Sequence, residues 1–89
     1  MIVKYYVLRN KIGMHVRPAG ILAELVSKMK SDVKIEYNGS TADARSPVAV
    51  LSLGIMPGDR IKVIIDGEDE EKVLRELDTL IIERKFDEE

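Results

Sequence analysis

The chain contains no cysteine, which rules out both a disulfide framework and a thiolate metal site. That usage suits a reducing compartment, and a cytoplasmic location is expected. Tryptophan is also absent, and the three tyrosines and single phenylalanine are scattered along 89 residues. Without aromatics clustered beside a basic groove there is no stacking platform, so no nucleic-acid partner is expected. No apolar run approaches the ~20 residues of a membrane span, and Met1-Ile2-Val3-Lys4 does not begin a signal peptide, so no membrane insertion is expected. A glycine-rich nucleotide loop and a carboxylate cluster are both missing, leaving no motif for a cofactor or a metal. Histidine occurs once.

What is present describes a small globular chain, 45% hydrophobic and 34% charged. Its length suits one domain with a modest core, expected to span residues 1–89. The net charge of −2 hides an uneven distribution. Residues 1–65 carry ten Lys/Arg against five Asp/Glu, and residues 66–89 carry four against eleven. A solvated surface would explain this, but so would a basic part that meets acidic partner surfaces and anionic phosphate.

The periodicities give the order of elements. Ile2 to Leu8 is rich in β-branched and aromatic residues and predicts a strand. Residues 16 to about 29 predict a helix, with Leu22, Leu25, Val26 and Met29 on one face. Asp32 to Tyr37 alternates strictly, with Val33, Ile35 and Tyr37 inward. Asn38-Gly39 predicts a hairpin, so residues 40–44 should return antiparallel. Ser46-Pro47 opens a short helix that ends before Gly54. Pro57-Gly58-Asp59 is a turn, Ile61 to Ile65 the last strand, and Asp66-Gly67 its close. A final helix from about Asp69 to Arg84 should bury Val73, Leu74, Leu77, Leu80 and Ile81, leaving Asp87-Glu88-Glu89 to fray. The order βαββαβα, with helices over one face of a sheet, is an α+β open-faced β-sandwich.

The lone histidine sits in Gly13-Met14-His15-Val16-Arg17-Pro18-Ala19, where the predicted helix begins. Helix N-termini offer unpaired N–H groups and the positive end of the macrodipole, so they attract anions. Near neutral pH an imidazole there is a nitrogen nucleophile beside a phosphate cradle. Lys11 and Arg17 add fixed positive charge, and Pro18 in the first turn presets the helical φ. Position alone also fits a capping or surface histidine; the residues by themselves establish only an anion site.

The stretch Asn10 to Ala19 resembles the active-site signature of HPr, the histidine phosphocarrier of the phosphoenolpyruvate-dependent sugar phosphotransferase system. A second block agrees: Asn38-Gly39, then Ala44-Arg45-Ser46, then Leu51-Ser52-Leu53-Gly54-Ile55 and Gly58 stand in that family's order and spacing. The resemblance implies a four-stranded antiparallel sheet covered on one side by three helices. It also implies a stoichiometric carrier rather than an enzyme. His15 would accept a phosphoryl group on Nδ1 from phosphorylated enzyme I and pass it to sugar-specific enzyme IIA domains. The N–H groups of Val16 and Arg17 and the Arg17 guanidinium would bind the phosphoryl oxygens, with Pro18 fixing the turn. Ser46 would be the regulatory site of an HPr kinase/phosphorylase, and a catabolite-control transcription regulator would read it. Lys11, Gly20, Pro47, Val48 and Leu51 would form the docking surface of a monomer.

The chain departs from the family's usual pattern at four of these places. Pro47 stands where Ile is common, Ala49 where Gly is, Val16 where Ala is, and Ile12 where a small polar residue often stands. Three other readings remain. A nitrogen-branch relative, NPr, shares Asn10-Lys11, Gly13-Met14-His15 and an acidic end like Phe86-Asp87-Glu88-Glu89. A purely regulatory relative would lack the histidine, and a small-ligand-binding α+β domain would take no phosphate from enzyme I.

Overall fold

The computed structural model describes residues 1–87. Strand β1 (Ile2–Val7) leads through a loop into helix α1 (Val16–Ser27). Strands β2 (Asp32–Tyr37) and β3 (Ser40–Asp43) form the hairpin, and the short helix α2 (Pro47–Leu51) follows. Strand β4 (Arg60–Asp66) and helix α3 (Glu70–Asp78) complete the order expected from the periodicities. The strands lie in the order β1-β4-β2-β3, every pair antiparallel, so β1 and β3 are the edges.

Alternation decides which face of the sheet is covered. Tyr6, Ile61, Val63, Ile65, Val33, Ile35 and Ala42 are buried, whereas Val3, Tyr5, Arg60, Lys34 and Thr41 on the opposite face are exposed. Leu22 and Val26 of α1, Val50 of α2, and Val73 and Leu77 of α3 join the inward residues in one contiguous core. Its layers are therefore a sheet and, on one side only, the helices.

Helix α1 stops at Ser27, because the Lys28 N–H turns back to the Leu25 carbonyl, at 3.3 Å, and the tighter turn ends the helix. Leu25 and Met29 are half-buried, whereas the small residues Ala19 and Ala23 are buried. The Asn38-Gly39 turn forms as expected, with Tyr37 opposite Ser40. Ser46 caps α2 by accepting from the Ala49 N–H at 3.2 Å, with Pro47 in the first turn.

The end of the chain differs from the single helix that the spacing predicts. After Asp78 the helix widens into a π turn, Thr79–Glu83, and the Arg84 N–H reaches the Thr79 carbonyl five residues back at 2.8 Å. The wider turn brings both Leu80 and Ile81 into the core. Lys85, Phe86 and Asp87 then adopt left-handed φ values of 49°, 56° and 62°. Such a run is costly for residues with side chains. Burial of Phe86 and the Arg84–Asp87 ion pair at 2.5 Å offset it. Asp87 is therefore held rather than frayed; Glu88 and Glu89 lie outside the described residues.

Candidate functional site

The loop from Leu8 to His15 is built before the helix begins. Asn10 is buried, and its Nδ2 donates to the Gly13 carbonyl at 2.6 Å, closing the loop on itself. Gly13 has φ +81° and lies against the Met56–Pro57 peptide. The next residue, Met14, is buried, and its N–H donates to the Ile55 carbonyl at 3.1 Å. His15 thus follows three consecutive restraints on the chain: the Asn10 bond, the Gly13 contact and the Met14 bond.

His15 is the N-cap residue of α1, with extended backbone (φ −140°, ψ −170°), and its side chain does not cap the helix. Its carbonyl accepts the first helical bond, from the Ala19 N–H at 3.0 Å. Val16 and Arg17 therefore carry N–H groups without intrahelical acceptors, and Pro18 carries none. Val16 and Arg17 are exposed, Pro18 is buried, and the His15 ring is half-buried. Among the described residues no carboxylate lies within ion-pair distance of Arg17. Asp87 feels the charge of Arg17, and its carboxyl is held below the ordinary aspartate range. The hydrogen bond from Arg84 is the main cause, and the charge of Arg17 adds a smaller share. The result is an open, positively charged helix start with a nitrogen nucleophile at its cap.

Large apolar side chains surround this start without being covered. Ile12 and Met56 are each 61% exposed, and Val16 and Val48 each 74%. Ile12 and Val16 flank His15 in the chain, Met56 borders Gly13, and Val48 stands on α2, which packs against α1. Of the residues expected to dock partners, Lys11, Gly20 and Val48 are exposed, while Pro47 and Leu51 are half-buried. A β-carbon on Gly20 would meet nothing within 4 Å, so that turn of α1 faces open space. The sequence reading did not assign Ile12 and Met56 to this surface. The signal for them was available: both are large apolar residues in loops, where no helix or strand period assigns them to the core. Ser46 is half-buried, its hydroxyl engaged with Ala49. No group of His, Asp or Glu among the described residues is arranged to hold a metal ion.

The chain is thus an open-faced sheet under three helices, with its lone histidine at the start of the first. Residues 2–83 match the family described as the PTS HPr component phosphorylation site. The chain belongs to the HPr family of the phosphotransferase system. An HPr from Thermoanaerobacter tengcongensis is 35% identical, with a TM-score of 0.92 over 100% of this chain and 99% of that one. An HPr from Bacillus anthracis is 29% identical, with a TM-score of 0.84 over 90% and 95%. Crh, the catabolite-repression protein of Bacillus subtilis, is 30% identical, with a TM-score of 0.73 over 93% and 95%, and is described as a swapped dimer. No helix among the described residues is long and apolar enough to cross a membrane.

Proposed function

We propose that this protein is a cytoplasmic phosphoryl carrier that takes its group from phosphorylated enzyme I onto His15 and delivers it to sugar-specific enzyme IIA domains. The observation that carries the reading is the N-cap placement of His15 beside the N–H groups of Val16 and Arg17, which have no intrahelical acceptor. In the transfer, the Nδ1 lone pair of His15 forms a bond to phosphorus as the donor's P–N bond breaks and its electron pair returns to the donor imidazole. The transition state is loose, so the carrier's contribution is positioning and stabilisation of the equatorial oxygens. Val16 N–H, Arg17 N–H and the Arg17 guanidinium supply the donors. Their exposure matters as much as their charge, because a carrier must surrender the group to the next protein.

Docking follows from the same surface. Ile12, Val16, Val48 and Met56 offer apolar area around the acceptor, and Lys11 and Arg17 favour acidic partner surfaces. The test is incubation with enzyme I, phosphoenolpyruvate and Mg²⁺. One acid-labile, base-stable phosphate on His15 is expected, and phosphate arriving on a His15→Ala variant would overturn the assignment. Running sugar-branch and nitrogen-branch enzyme I in parallel separates an HPr from an NPr. The acidic segment around Phe86 and Asp87 is what favours the second branch. Phosphorylation of Ser46 by an HPr kinase, read by a catabolite-control regulator, is the regulatory part of the proposal.

A further inference from the structure

The face of the sheet that the helices leave bare carries two cations side by side at one end of β4, while Asp32 and Asp66 stand opposite each other at the other end. Alternation places Tyr5 and Val7 of β1 and Arg60 and Lys62 of β4 on it, with Tyr5 opposite Lys62 and Val7 opposite Arg60. Lys4, Lys28, Lys30, Arg45 and Arg84 are paired, with Asp78, Glu24, Glu68, Asp32 and Asp87 in turn. Arg60 and Lys62 are not, because among the described residues neither has a carboxylate within 4.0 Å. Asp59, next to Arg60, is occupied by the Tyr37 hydroxyl and the Met56 N–H. Glu36 stands opposite Lys62 in the register without forming an ion pair. The Arg60 guanidinium instead lies 5.0 Å from the centroid of the Tyr5 ring, which is 52% exposed.

These side chains border a shallow groove of about 210 Å³, which Glu36, Tyr37 and Asn38 also line. Two residues on one strand face are about 7 Å apart, so a single phosphoryl group between Arg60 and Lys62 can accept from both. The groove is too small to bury a whole nucleotide, so only the phosphate end would sit in it. The planar base would extend over the exposed Tyr5 ring and its stacked guanidinium. We propose that this face binds a nucleoside phosphate, with Arg60 and Lys62 on the phosphate and Tyr5 under the base. None of residues 11–18 lines the groove, so occupancy of one site need not exclude the other.

Titration of the ¹⁵N-labelled protein with AMP, ribose 5-phosphate and inorganic phosphate tests this. AMP should shift the amides of Tyr5, Glu36, Arg60 and Lys62 saturably, and an Arg17→Ala background should leave those shifts intact. Arg60→Gln and Lys62→Gln should each weaken AMP at least three-fold, and the double variant should abolish its effect on β1 and β4. Ribose 5-phosphate should bind several-fold more weakly than AMP, and inorganic phosphate more weakly still. Shifts confined to residues 14–19, or unaltered in the double variant, would overturn the site. Ribose 5-phosphate binding as tightly as AMP would overturn the base contact with Tyr5.

Discussion

A β-carbon on Gly13 would stand 2.7 Å from the backbone nitrogen of Pro57 and 2.8 Å from the carbonyl carbon of Met56. The loop that delivers His15 and the turn that precedes β4 are thus in backbone contact, with no side chain between them to yield. Gly13 also has φ +81°, a region closed to most L-residues. Gly13→Ala is expected to cost at least ~2 kcal/mol of stability in urea unfolding, from left-handed strain and the clash together. The same variant should displace His15 and slow phosphoryl acceptance more than its stability loss explains. A variant as stable and as reactive as the parent would contradict this account of the loop.

Asp69 supports a second junction. Its carboxylate accepts from the Lys30 N–H and the Ser31 N–H, both at 2.9 Å, and from the Ser31 hydroxyl at 2.5 Å. These bonds, the Lys30 N–H foremost, hold the carboxyl below the usual aspartate range. A lowered folded-state value stabilises the protein above the unfolded value of about 4 and is lost as pH falls through the folded one. Asp69→Asn should therefore lower the unfolding midpoint at pH 7, and the gap to the parent should close below about pH 4. A gap of constant size across that range would show that the charge is not what matters.

The alkaline side has its own reporter in Tyr6. Its hydroxyl donates to Asp78 at 2.6 Å, and burial first, then that hydrogen bond, push its pKa well above the ordinary tyrosine value. Here the raised value means a contribution fully present below about pH 10 and lost as pH rises above it. Tyr6→Phe should cost about 1 kcal/mol at neutral pH and flatten the stability profile above pH 10. Equilibrium unfolding at pH 7 and pH 10.5 measures both.

The strands, α1, α2 and the hairpin were readable because each has a period or a turn signal strong enough to survive tertiary context. Val33 and Ile35 are inward as their alternation requires, and Asn38-Gly39 turns as it must. The start of α1 at His15 was readable from Gly13 to Pro18 for the same reason. The end of the chain was not. Leu77, Leu80 and Ile81 fit a 3.6-residue period well enough to conceal the π turn, which exists because Phe86 also has to reach the core. Nothing local to Lys85-Phe86-Asp87 announces three left-handed residues; long-range burial imposes them. Ile12 and Met56 were passed over because their signal is a negative one, the lack of any period that assigns them to the core; that Met56 lies against the loop of His15 is shown by the fold alone.

Arg17 and Lys11 should separate on kinetic grounds. Arg17→Ala is expected to slow phosphoryl transfer by roughly one to three orders of magnitude with little loss of stability, since the side chain is exposed and, in the proposed transfer, donates to developing charge. Lys11 is exposed in the loop before Gly13 and should act on encounter with acidic partners. Its effect ought to shrink as salt rises, given a Debye length of ~8 Å at physiological ionic strength. Stopped-flow transfer from enzyme I at two ionic strengths distinguishes them, and a salt-independent Lys11→Ala defect would contradict the assignment.

Ser46 carries two roles that one substitution can pull apart. Its hydroxyl caps α2 through the Ala49 N–H, and an aspartate can accept the same bond while adding a charge that the helix start favours. Ser46→Asp should therefore leave the melting temperature equal or slightly raised. On the partner side the charge stands next to Val48 in the proposed docking surface, where it would oppose acidic groups, so affinity for enzyme I should fall by ~1 kcal/mol or more. Pro47 adds a further constraint, because it fixes φ and removes an N–H directly after the acceptor. An HPr kinase that grips the backbone there should phosphorylate this chain poorly, and Pro47→Ile should improve the rate. Phosphorylation that is already efficient and gains nothing from Pro47→Ile would show that the kinase does not read this peptide bond.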